Sequence, residues 1–169
     1  APLTNAGRAG MYANANLWIT TGAGITIIAP SMAVPVGTDI DDGLPNGYQG
    51  DVYDMTFISN WLIFCVNGGS SNKSSIFKRN TNMGGNLQLY TTSATNKAIA
   101  CLHHSPSSLY TNGRLWFGEG TDVKYMMLPD ITSNVKQVSS FDYVNDSGDA
   151  ELPIFRMLAA IPKTALGVA

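Results

Sequence analysis

The chain has 169 residues, 44% of them hydrophobic, enough for a domain with a true core. Only 13% are charged, about half the ~25% usual in soluble domains, and the net charge is −2 with a pI near 5.5. This excludes a basic surface for nucleic-acid phosphates, and no apolar run reaches the ~18 residues that a membrane-spanning helix needs.

Glu occurs only at Glu119 and Glu151, while Asn, Ser and Thr occur 14 times each. A surface of hydroxyls and amides lacks the Lys and Glu that support exposed helices, and suits strands and turns. The first ten residues are mixed and turn-like, without a signal-peptide pattern.

A short segment then recurs. It reads Asn16-Leu17-Trp18-Ile19-Thr20-Thr21-Gly22, next Asn60-Trp61-Leu62-Ile63-Phe64-Cys65-Val66-Asn67-Gly68, and last Asn112-Gly113-Arg114-Leu115-Trp116-Phe117-Gly118-Glu119-Gly120. Each copy opens on a turn residue, runs through bulky apolar side chains and ends in Gly. Return strands follow at Ile25 to Ala29, Ser75 to Arg79 and Asp122 to Leu128, so each copy predicts a hairpin. The middle unit completes with strands at Val52 to Ile58 and Leu87 to Thr91. The next completes with Ala98 to His103 and Val135 to Phe141.

Leu17, Leu62 and Leu115 are spaced by 45 and 53 residues, the length of one four-stranded blade. The expected fold is therefore all-β, a partial β-propeller of about three to four four-stranded antiparallel blades, with a β-sandwich as the alternative. A single domain over 1–169 divides into blades at 11–50, 51–95 and 96–145, and a partial blade at 150–169. Trp18, Trp61 or Phe64, and Trp116 or Phe117 are expected to pack one blade on the next. A closed propeller needs at least about four blades, so further blades are expected from more chain or from a neighbouring subunit. The run Leu152 to Pro162 reads as the inner strand of such a blade.

The polar residues carry no recognisable catalytic set. Asp39-Ile40-Asp41-Asp42-Gly43 looks like the start of a calcium loop, but position 50 is Gly50 where an EF-hand needs a bidentate Glu. It reads as a solvated turn, as does Asn145-Asp146-Ser147-Gly148-Asp149. His103 and His104 are adjacent and point to opposite faces of a strand, while Cys101 and His103 share a face without a second ligand pair. Cys65 and Cys101 are expected to be buried free thiols, with a disulfide as the alternative. No metal, cofactor or catalytic residue is expected.

The stretch from Asn112 to Tyr125, continuing to Pro129-Asp130, resembles blades of β-propeller regions in tailed-bacteriophage virion proteins, the tail-tip and fibre components. The resemblance covers about 20 residues well and about 110 loosely. It implies a virion or extracellular location and a structural or receptor-contacting role; no functional residue carries over.

Three functional readings follow. The first is a non-enzymatic structural or adhesive module that binds partner subunits or a surface glycan, with Tyr48, Tyr53 and Tyr110 as stacking platforms on loops. The second is a fragment of a glycoside-hydrolase-like propeller, which requires two converging carboxyls. The third is a cellular propeller scaffold.

Overall fold

The computed structural model describes residues 6–35, 47–58, 60–81, 84–107 and 110–128. All its regular elements are strands. The first sheet holds β1 (Ala6–Ala13), β2 (Asn16–Thr21), β3 (Ile25–Ala29) and β4 (Met32–Pro35). The second holds β5 (Asp51–Ile58), β6 (Trp61–Asn67), β7 (Ser75–Asn80) and β8 (Gly84–Thr91), and the third β9 (Ile99–Ser107), β10 (Tyr110–Glu119) and β11 (Asp122–Met127). Each sheet is an antiparallel meander in chain order, because short turns join successive strands. Among the described residues the sheets do not close into a ring.

Local chemistry sets the turns. Asn14 and Ala15 both have positive φ (52° and 60°), which gives β1 and β2 a two-residue turn matching the twist of the strands. Asn is at home in that conformation, whereas Ala15 is strained. Gly120, at φ 60°, turns β10 into β11. β4 is short, exposed throughout and ends at Pro35, with Pro30 just before it.

The sheets stack face to face. Trp18 and Ile25 of the first sheet pack on Val52, Met55, Leu62, Phe64, Val66 and Phe77 of the second. On its other face the second sheet presents Ile63, Cys65, Ile76 and Leu89 to Ile99, Leu102, Leu115 and Phe117 of the third. Strand β6 is thus buried on both sides, which is why Leu62 to Val66 is an unbroken apolar run rather than an alternation. The first strands lie closest together, with β5 against both β1 and β9.

Two sequence expectations need correcting. Asn112-Gly113 is not a turn opening the third hairpin: β10 runs on to Tyr110 through a register shift between Tyr110 and Arg114, with Gly113 at φ 71°. A glycine in this conformation lets the strand bulge and continue. Cys101 is not buried: both thiols are free, but Cys101 is exposed on the side of the third sheet away from the second. Also, β1 occupies residues read from sequence as turn-like. The expected strand Val135 to Phe141, the acidic turns at Asp39 to Gly43 and Asn145 to Asp149, and the run Leu152 to Pro162 lie outside the described residues.

Candidate functional site: the polar bridges and open faces of the stack

The inward carboxylates join sheets. Asp54 of β5 accepts a hydrogen bond from the Leu102 amide of β9 at 2.7 Å through Oδ2, and from the Met55 amide at 2.9 Å through Oδ1. Between the first two sheets the Val52 amide donates to the Gly22 carbonyl at 2.7 Å. Glu119, buried in β10, accepts from the Tyr90 hydroxyl of β8 and from Lys124 Nζ of β11 at 2.8 Å. Lys124 also donates to the Tyr90 oxygen at 3.3 Å. The Tyr90 ring packs on Phe117, with centroids 4.9 Å apart.

The ionisation of these groups follows their surroundings. Burial pushes Glu119 up, but hydrogen bonds from Lys124 and Tyr90 outweigh it and hold its carboxyl below the ordinary range. Hydrogen bonding to Glu119 raises Lys124, and burial followed by Glu119 raises Tyr90. Through these contacts Tyr90, Glu119 and Lys124 tie β8 of the second sheet to β10 and β11 of the third. Burial, with help from Asp54, pushes the Cys65 thiol up to about 12, and its Sγ donates to the Asp54 carbonyl at 3.7 Å. Burial lowers Lys78, whose Nζ lies 3.9 Å from the Trp61 ring centroid. Burial and then His103 lower His104.

The residues expected to pack between blades divide. Trp18, Phe64 and Phe117 lie between sheets, with Trp18 edge-on to Phe57 at 4.9 Å. Trp61 is half-buried at the start of β6. Trp116 lies on the face of the third sheet opposite Leu115 and Phe117, 5.0 Å from Tyr125. The three tyrosines proposed for glycan contact are not alike. Tyr48 is half-buried in the bend before β5. Tyr53 is in a strand, not a loop, and Arg8 of β1 stacks over its ring at 3.6 Å. Tyr110 is the first residue of β10, and its side chain lies outside the described residues. His103 is exposed and His104 half-buried. Among the described residues no three His, Cys, Asp or Glu side chains gather to hold a metal.

Sequence reasoning missed Asp54, Tyr90 and Lys124 as bridging residues, because a partner 29 to 48 positions away leaves no local pattern. The rarity of Glu was the only available signal for Glu119.

Among the described residues, two apolar faces have no sheet packed on them. Leu17, Leu62 and Leu115 hold matching places in the second strands of their sheets. Leu62 faces the first sheet and Leu115 the second, both 0% exposed, whereas Leu17 is 38% exposed. Around it are Tyr12 and Ile28, its register partners on β1 and β3. The third sheet shows its own outward face: Trp116 flanked by Tyr125, and Val123 at 76% exposure. No protein-family model, curated protein or solved structure matches this chain.

Proposed function

We propose that this chain is a non-enzymatic structural module, a run of propeller-type blades in a virion or extracellular assembly, that makes its contacts with other protein subunits through its stacked sheets. One observation carries the reading. Leu17, Leu62 and Leu115 point toward the preceding side of the stack and Trp18, Ile63 and Trp116 toward the following side, which supports reading the three sheets as repeats of one unit. Such units shield each other's apolar faces and favour continuation of the stack. The converging first strands agree with a radial arrangement. The commitment of Asp54 and Glu119 to structural hydrogen bonds favours scaffolding over glycoside chemistry.

The test is fractionation of the native source with an antibody to this chain. Co-sedimentation with a particle far larger than 18.0 kDa is expected. Recovery only as a free monomer with glycosidase activity would overturn the proposal. For the adhesive role, exposed tyrosines stack on sugar rings; a glycan array without hits, on protein shown to be folded, removes that role and leaves the scaffold.

A further inference from the structure

The internal interfaces of the stack use the same two sides of each sheet. Register partners form rows that cross a sheet from strand to strand. On the following side of the first sheet one row holds Met11, Trp18, Ile27 and Val34. On the preceding side of the second sheet one holds Phe57, Leu62, Arg79 and Asn86. These sheets meet with Trp18 edge-on to Phe57, ring centroids 4.9 Å apart. The second interface repeats the arrangement with Ile63 and Leu115, which hold the places of Trp18 and Leu62.

The two outer faces carry the same two kinds of row, with no sheet against them among the described residues. The preceding side of the first sheet has Tyr12, Leu17, Ile28 and Ala33. The following side of the third has His103, Trp116 and Tyr125, with Val123 alongside, paired to Gly118. Five of the eight large hydrophobic side chains exposed among the described residues lie on these two faces: Tyr12, Leu17, Ile28, Val123 and Tyr125. Such concentration of apolar exposure marks contact surfaces. Ile28 and Ala33 stand where the second sheet has Arg79 and Asn86, so the outer row is more apolar than its internal counterpart. Trp116 holds the place of Trp18, and Tyr12, 74% exposed, holds that of Phe57. The aromatic pair of the first interface is therefore present a second time, with its halves on opposite sides of the chain. The second sheet separates them, so a neighbouring copy is what can bring them together.

We propose that this chain binds a second copy of itself head to tail: the third sheet of one copy packs on the first sheet of the next, and Trp116 meets Tyr12 as Trp18 meets Phe57. This rests on the repeat reading above and supplies the identity of the neighbouring subunit. A head-to-tail contact joins two different surfaces, so it propagates into a ring or a filament. It also depends on concentration, and both faces are free in the dilute chain.

Sedimentation velocity of the full chain over a concentration series is expected to show a mass rising from 18.0 kDa through its multiples. Tyr12→Asp spoils the first-sheet face and Tyr125→Asp the third-sheet face, both at exposed side chains. Each variant alone is expected to stay monomeric. Their equimolar mixture is expected to stop at a heterodimer of twice 18.0 kDa, because each supplies the face the other lacks. Ellman's reagent, with the labelled cysteine assigned by peptide mass, needs no variant. The exposed Cys101 lies on the outward face of the third sheet, its Sγ 3.5 Å from where a Cβ on Gly118 would stand, and Cys65 is buried between the second and third sheets. Labelling of Cys101 is expected to slow roughly tenfold or more from dilute to concentrated chain while Cys65 stays protected throughout.

A chain that is monomeric at every concentration overturns the proposal, as does a mixture that yields no heterodimer. Association that survives Tyr12→Asp assigns the contact to two third sheets and overturns it too. So does Cys101 labelling that is independent of concentration: if fast, the face is bare, and if slow, the chain covers it itself. If the pure chain is monomeric yet co-sediments with a large particle, the structural-module reading stands without the proposal. Fast labelling of Cys65 in the dilute unsubstituted chain overturns the stacked-sheet reading itself. If Cys65 is fast in a variant alone, that variant is misfolded and the Cys101 series decides.

Discussion

The second sheet and its two neighbours are built from similar strands but sit in different surroundings. The second is covered on both faces and buries five consecutive residues of β6, Leu62 to Val66. Among the described residues the first and third are each covered on one face, and β2 correspondingly alternates between buried and more exposed positions. Neighbours, more than local sequence, decide how much a given position contributes. Leu17, Leu62 and Leu115 share a place in the repeat, yet one of them is 38% exposed and the others are sealed.

That contrast gives the largest expected effect. Leu62→Ala and Leu115→Ala each cost about 2–5 kcal/mol, the usual range for emptying a closed core. Leu17→Ala costs less than about 1 kcal/mol, measured as the shift in urea midpoint. An equal loss at Leu17 would break the comparison by showing that a partner covers the first sheet in solution.

Glu119→Gln tests the clamp between the second and third sheets and costs about 1–3 kcal/mol at neutral pH, because it weakens charge-assisted hydrogen bonds at a buried site. The folded-state pKa of Glu119 is depressed. Its contribution is therefore complete above the unfolded value of about 4.3 and is lost as pH falls through the lower folded value. Denaturation curves of the parent and the Gln variant should converge in acid. A gap that is constant with pH would mean that the carboxylate charge adds nothing.

A smaller gain is expected at the edge of the first sheet. Ala15 holds φ 60° in the β1–β2 turn, and Ala15→Gly relieves the strain. Thermal melting should register a stabilisation of about 0.5–1 kcal/mol. Smallest of all, Val123→Thr on the outward face of the third sheet should stay within about 0.5 kcal/mol if that face is open, and exceed it if the face is covered. Equilibrium denaturation of the full chain separates the two cases.

The same contrast explains what was legible in the sequence. A strand covered on both sides needs apolar residues at every position, so β6 announced itself. β2 and β10 carry aromatic residues and were found from these. β1 went unread because Ala6, Gly7, Ala9 and Gly10 bury little and hold their place mainly by backbone pairing with β2. The start of β10 was misread because Asn-Gly usually closes a hairpin, whereas here Gly113 supports a bulge within a continuing strand. Asp54 and Glu119 gave no pattern of their own, because their partners come from other strands. Cys101 reads as a buried thiol only if its strand is covered on both sides, and among the described residues one side of that sheet is open.

The proline-bounded β4 bears on how the molecule behaves when crowded. A sheet's last strand offers free amides and carbonyls to any passing chain, and long flat edges of this kind seed fibrils. Here that margin is four residues long and stops at a residue with no hydrogen to donate. A stranger strand would gain few bonds along these four residues, which makes this margin a poor template for ordered aggregates.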